Sequence, residues 1–301
     1  MMEDTRILGS YVHIGAMERA ASLLSSLRRD WSALLGVFII VAVVAAATLA
    51  PVLAPMDPYE QSLSRTLKPP LWSDGEHIFL LGTDHLGRDF LSRLIYGSRV
   101  SLIVGAFAVL LSGGVGLIVG LLTGYFGGKV DLVMMRVADL VLSFPFILLA
   151  LATIAIVGPS LTVLIVVMSL RIWVIYARVV RGEALKIRGM EYVQAAHAMG
   201  GSHTRIICRH VLPNVMAPVI IIASLYLGRM IVIESGLSFL GLGVPPPTPT
   251  WGGLLSEGRT HLYNAWWVAT FPGLAITFTV WGANLLGDWL RNVLDPRLRS
   301  L

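Results

Sequence analysis

Apolar residues in this chain gather into six long runs, each near the roughly 20 residues that carry a helix across a bilayer. They are Ser32 to Leu53, Leu102 to Leu122, Leu132 to Val157, Leu161 to Val180, Val215 to Gly236 and Ala265 to Leu290. Polar and charged positions fall between the runs, so the pattern predicts an all-α, polytopic membrane protein with six transmembrane helices. The first run leaves through "APVLAPMDP", where Pro51, Pro55 and Pro58 discourage further helix. The second carries Gly116, Gly120 and Gly124 at four-residue spacing, a face of small residues that lets another helix approach closely. Pro145, in "SFPF", is expected to kink the third.

Composition sharpens this picture. Of 301 residues, 55% are hydrophobic and 14% charged, and the mean hydropathy is +0.76. Soluble domains carry about 25% charged residues. A net charge of +5 and a pI near 9.6 raise nucleic acid as a partner. No basic stripe interleaved with aromatics occurs in a soluble segment, so the charge is read as setting orientation in a bilayer. Arg6, Arg19, Arg28 and Arg29 precede the first run, and Lys129 and Arg136 lie about the second turn. Arg178, Arg181, Lys186, Arg188, Arg205 and Arg209 surround the connection after the fourth, and Arg291, Arg297 and Arg299 follow the sixth. Six spans put all of these on one side, the cytoplasm, with both termini inside. Arg65, Lys68, Arg88, Arg93, Arg99 and Arg259 fall on the other side, most of them in one long loop. The lone Cys208 permits no internal disulfide, and the first run is too long for a signal-peptide core and is expected to remain as a span.

The expected organisation is a cytoplasmic segment 1–30, a first transmembrane helix 31–55, and an external loop 56–100 with an interfacial helix. A five-helix core 101–290 follows, containing a cytoplasmic loop 181–213, and then a tail 291–301. In that loop Tyr192, Ala195, Ala196 and Met199 recur at i, i+3, i+4 and i+7, a helix with one mildly apolar face. Gly200 and Gly201 can take the left-handed conformation that ends a helix. Ser202 can cap a second helix through "HTRIICRHVL", which Pro213 closes by restricting Leu212. Such an element either rests on lipid or docks into a groove on a soluble partner; its alanines favour docking, because lipid-surface helices anchor through Trp, Phe and Leu.

"QAAHAMGGSHTRIICRHVLP" resembles the cytoplasmic loop motif of ABC importer permeases. Ala195 and Ala196 match its alanines, Gly200 its glycine, and Leu212 with Pro213 its closing pair, while Gln194 stands where the motif has Glu. "LLGTDHLGRDFLSRLIYGSRVSL", "SGLSFLGLGVPPPTPTWGGLL" and "WWVATFPGLAITFTVWGANLLGDWLRNVLDPRL" are similar to the C-type permease subunit of the dipeptide, oligopeptide and nickel branch. The likeness runs from about Trp31 to Leu298. It implies the type I importer permease fold in a bacterial inner membrane, half of a translocation pathway for di- or oligopeptides. A homologous second permease, two ABC ATPase subunits that bind ATP and Mg, an external peptide-binding protein and membrane lipid are the implied partners. Tyr192, Ala195, Ala196, Met199, Gly200, Leu212 and Pro213 would then couple the spans to the ATPases. The chain holds no G-x-x-x-x-G-K-[ST] phosphate loop, so it is expected to be no enzyme and to carry no cofactor of its own.

Charged residues inside spans are costly and by default functional. Arg171, Arg229 and Glu234 are therefore candidates for the pathway or an inter-subunit contact, each facing a cavity or the partner. Arg136 and Asp139 are expected to pair locally at i, i+3. Asp84 and Asp89, with His77 and His85 nearby, lack the spacing of a metal site, and Asp84 is read as the cap of a helix whose stripe is Leu86, Phe90, Leu91, Leu94 and Ile95. "PPPTP", Pro245 to Pro249, is a stiff spacer or a contact for the binding protein. The competing function is an ion-driven secondary transporter or channel, which needs intramembrane acids, and only Asp139 and Glu234 are on offer.

Overall fold

The computed structural model describes residues 25–294. The expectations for residues 1–24 and for the tail from 295 lie outside those residues. The described chain is built of helices: α1 Trp31–Thr48, α2 Phe90–Phe126, α3 Gly128–Ser143, α4 Phe146–Val157, α5 Leu161–Arg188, α6 Glu191–Ala198, α7 His203–Ile206, α8 Leu212–Phe239, α9 Trp251–Arg259 and α10 Trp267–Leu294. One hairpin, β1 Trp72–Ser73 with β2 Ile78–Phe79, sits in the long loop before α2.

Five helical rods are long and apolar enough to cross a membrane: α1, α2, α5, α7 with α8, and α10. The sixth expected span is not one helix. α3 and α4 meet at 88° about Phe144 and Pro145, so the run Leu132 to Val157 is a sharply bent pair of helices and the expected kink is a full break. Pro145 offers no N–H and crowds the residue before it, and Phe144 has gone to extended backbone at φ −85°, ψ 131°.

The core forms where α2 and α5 lie together. Gly116, Gly120 and Gly124 are buried against Tyr176, Val180 and Ala184; a Cβ on Gly120 would stand 2.6 Å from the Val180 Cβ. Close backbone approach is what the glycine spacing supplies. α8 lays Val215, Val219 and Met230 on this pair, and α10 packs beyond α8. α1 closes on α10 through another glycine contact, Gly36 beneath Leu285 and Gly282 beneath Ile39.

Helix α2 begins earlier than the apolar run suggested. Its cap is Asp89, whose carboxylate accepts from the Ser92 N–H at 2.7 Å, so Asp84 is not the cap. The stripe from Phe90 to Ile95 forms the first turns of this 37-residue rod. Asp84 instead folds the preceding turn, accepting from the N–H groups of Leu86 and Arg88.

Candidate functional site

At the end of the bundle away from the hairpin, α5 leads through Gly189 and Met190 into α6 with almost no slack. The Gly189 N–H bonds the Lys186 carbonyl, and the Gln194 side-chain amide donates to the Gly189 carbonyl at 3.1 Å. α6 ends in Gly200 at φ +82°, a left-handed residue whose N–H donates to the His197 carbonyl. Gly201 then comes so close that an added Cβ would meet the Ala196 carbonyl at 2.7 Å. Ser202 caps α7, its hydroxyl accepting from the Arg205 N–H.

Pro213 does not close that helix. α7 runs on through a π turn, Ile207–Val211, into α8, where Pro213 occupies the first turn. A widened turn relieves the clash that proline makes with the carbonyl four residues back. The loop therefore feeds an unbroken rod from His203 to Phe239.

One face of α6 seats on the bundle. Val193 is buried and Ala196 half-buried, both within the core that includes Ile206 and Val211. Tyr192, Ala195 and Met199 point away, Met199 82% exposed and Tyr192 46% exposed. The apolar set expected on one face is thus divided, and Ala196 alone of the four turns inward. His203 locks the loop to the end of α2, its Nδ1 standing 3.0 Å from the Tyr125 hydroxyl and its ring against Phe126 and His197. Tyr192 in turn meets the His210 ring and the Asn214 amide at the start of α8. Leu212 is half-buried and Pro213 exposed. Val193, Tyr125 and His203 escaped the sequence reading; they act across the fold and carry no local spacing signal.

The charged residues inside the rods do not converge. Arg171 is half-buried on α5, and Arg229 is exposed with its guanidinium 5.4 Å from the Tyr226 ring. Glu234 is fully buried and faces its own chain, neither a cavity nor a free surface. Ser238 donates to it at 2.8 Å and Ser101 at 3.2 Å, and Ser101 in turn accepts from the Trp251 N–H. This carboxylate fastens α2, α8 and the start of α9 together. Asp139 pairs with Arg178 at 2.7 Å, not with Arg136, because α5 lies alongside α3 and supplies a better-placed cation.

A second charged cluster sits at the hairpin end. Asp84 is enclosed by Arg88, at 2.6 Å, and Arg93, and both arginines reach Glu257 on α9, Arg93 with two nitrogens at 2.8 and 3.2 Å. Burial alone would raise the Asp84 carboxyl; the Arg93 guanidinium, with the Arg88 N–H and guanidinium, outweighs it and holds the group below the usual carboxylate range. Asp89 has no such cation, and burial pushes it up. Asp84, His85 and Glu257 bring three donor atoms within 4.8 Å of one another. Two guanidinium groups already neutralise both carboxylates, so the cluster is an ion network in character. Trp251 and Trp267 add indole donors to the carbonyls of Leu94 and Thr83.

A multispan helical bundle whose one short surface helix is rooted in two rods, with its outer face bare, is the form of a membrane permease subunit. The chain belongs to the family of binding-protein-dependent transport system inner membrane components, which it matches over residues 116–300. Residues 21–70 match the N-terminal membrane domain of oligopeptide transport permease C. It is 41% identical over 276 residues to a di/tripeptide transport system permease of Pseudomonas aeruginosa, covering 91% of each chain. A dipeptide transport system permease of Alkalihalophilus pseudofirmus is 40% identical across 91% of this chain and 88% of its own. A glutathione transport system permease of Pectobacterium atrosepticum is 43% identical over 73% of each.

Proposed function

We propose that this permease is half of the pathway of an ATP-driven importer for short peptides. It sits in a bacterial inner membrane with both termini in the cytoplasm, beside a homologous second permease. Two ATPase subunits holding ATP and Mg dock beneath it, and an external binding protein delivers the peptide. The observation that carries this reading is α6: Ala195 and Met199 lie exposed on its outer face with Tyr192 partly exposed beside them, on a helix fixed at both ends to long rods. Small and flexible apolar residues on a short helix suit a groove on a soluble protein. Force on α6 passes into α5 through Gly189 and into α8 through α7 and Pro213. The names of the similar permeases make di- and tripeptides the first substrates to try. An ion-driven carrier would need acids open to a pathway, whereas Asp139 is paired and Glu234 is enclosed by hydroxyls.

Co-expression with a sister permease and ATPases tests the proposal. The assembled complex in liposomes should hydrolyse ATP in response to binding protein loaded with dialanine or trialanine, and uptake should follow. Failure of this chain to retain any ATPase subunit in mild detergent would falsify it. Gly200→Val gives a finer test. Space around Gly200 is open, but a β-branched residue is strained at φ +82°. Assembly should survive, while peptide carried per ATP falls; unchanged coupling would remove the bend from the mechanism.

A further inference from the structure

Helix α3 is held to the rest of the chain by joints and ion pairs more than by apolar packing. It begins at Gly127 and Gly128, both at positive φ (66° and 56°), and ends at the Phe144–Pro145 break. A 16-residue rod, about 24 Å long, is therefore jointed at each end. Ala138 is its one buried residue, so little apolar packing holds it in place. Two ion pairs do. Asp131 takes a two-pronged grip from Arg181, Nε at 2.5 Å and Nη2 at 2.6 Å, and Asp139 accepts from Arg178 at 2.7 Å. Both cations stand on α5, and they pair in reverse order, as antiparallel neighbours do. The two acids are about 12 Å apart along α3 and the two arginines about 4.5 Å along α5, so the pairs bracket the point where the rods cross.

We propose that Asp131 and Arg181, assisted by Asp139 and Arg178, are positioning residues for transport: they make α3 follow α5 when α6 is pulled. The inference rests on the coupling role given to α6. α5 is the rod that runs into α6, and its arginines lie in the turns just before that junction. Without the pairs, a rod jointed at both ends with one buried residue is only weakly tied to α5. The two pairs differ in weight. Arg178 and Asp139 are each about half exposed, at 50% and 51%, and such a pair contributes little alone. Arg181 and Asp131 are more enclosed, at 34% and 21%, and the planar guanidinium fixes direction as well as distance. Lysine cannot reproduce that two-pronged grip.

The test uses the assembled importer in a Cys208→Ser background, with spin labels at Phe38→Cys on α1 and either Val133→Cys on α3 or Ala198→Cys, exposed at the end of α6 and outside its docking set. Distances are measured without nucleotide and after trapping with ATP and vanadate. Unmodified at 131 and 181, both pairs of labels should change distance. With Asp131→Asn, the Ala198 distance should still change while the Val133 distance stays fixed, and dialanine carried per ATP should fall by about five-fold or more. The exchange Asp131→Arg with Arg181→Asp should restore both. A Val133 distance that changes in Asp131→Asn as it does without it would overturn the linkage, as would an exchange variant that hydrolyses ATP yet stays fixed at Val133. An Ala198 distance that never changes would instead remove the coupling role of α6, and the linkage with it.

Discussion

Arg93 is 1% exposed, yet it carries a full charge at the mouth of a membrane helix, and what makes that tolerable is the pair of carboxylates it spans. Removing one partner of a buried ion network strands the others, at a cost of about 3–5 kcal/mol. Arg93→Ala should therefore loosen α9 from the first turn of α2 and lower the melting temperature in detergent, whereas the same change at the exposed Arg229 should leave it nearly unaltered. Acid should act at the same place. The folded Asp84 carboxyl lies below its unfolded value, so its contribution is present above about pH 4 and is lost as pH falls through the folded value. Asp89, raised by burial, works the other way: it opposes folding at neutral pH and ceases to do so as it protonates. Hydrogen exchange in segments 80–93 and 250–260, corrected for intrinsic rates, should quicken as acid neutralises Asp84. Asp84→Asn should already exchange quickly at neutral pH and show a flatter response. Equal pH profiles for the two proteins would show that Asp84 is not the titrating group.

Between elements, the decisive contacts are those where backbones nearly touch. A side chain at Gly120 would collide with the Ala177 carbonyl at 2.7 Å as well as with Val180, and a carbonyl inside a helix cannot swing aside. Gly120→Ile should separate α2 from α5 and cost at least the roughly 1–3 kcal/mol typical of overpacking. Gly114→Ile, on the same helix with open space around it, is the control, and its melting temperature should stay close to the parent's. The glycine spacing was legible in the residues because it repeats within one helix. So were five of the six runs, the left-handed Gly200 and the Ser202 cap, each written in a few neighbouring positions. Pro145 was visible too, but not the size of its effect: a proline alone does not say whether neighbouring rods will hold a kinked helix together or let it part at 88°. Asp139 chose Arg178 over Arg136 because a partner 39 residues away is supplied by packing that no local window contains, whereas Asp84 took Arg88 and Arg93, 4 and 9 residues on, once the turn before α2 folded back on itself. Pro213 misled for a related reason, since the π turn before it removes the clash on which helix termination depends.

Across the whole molecule, the rods are covered unevenly by their own chain. The central stretch of α5 is half buried by its own chain, at 50%, while that of α1 reaches 17%. Lipid suffices for the outer face of a peripheral helix such as α1, whose exposed residues Phe38, Val41 and Val44 ask only for hydrocarbon. α3 and α4 are another matter. They bend through 88° and break their backbone hydrogen bonding at Phe144 and Pro145, both exposed in the single chain. Hydrocarbon offers no partner to free carbonyls at such a break, so a broken helix at membrane depth persists where protein or a water-filled cavity lies against it. The covering partner is expected to be the second permease, whose own chain would meet Leu140, Phe144, Ile147 and Leu148, all well exposed here. Hydrogen exchange across 128–157 should then be fast for this subunit purified alone in detergent and slow once its sister permease is bound, with the α2 and α5 segments protected in both. Equal protection of 128–157 in the two states would mean that lipid or detergent already satisfies the break, and the surface between permeases would have to be sought on α8 and α10 instead.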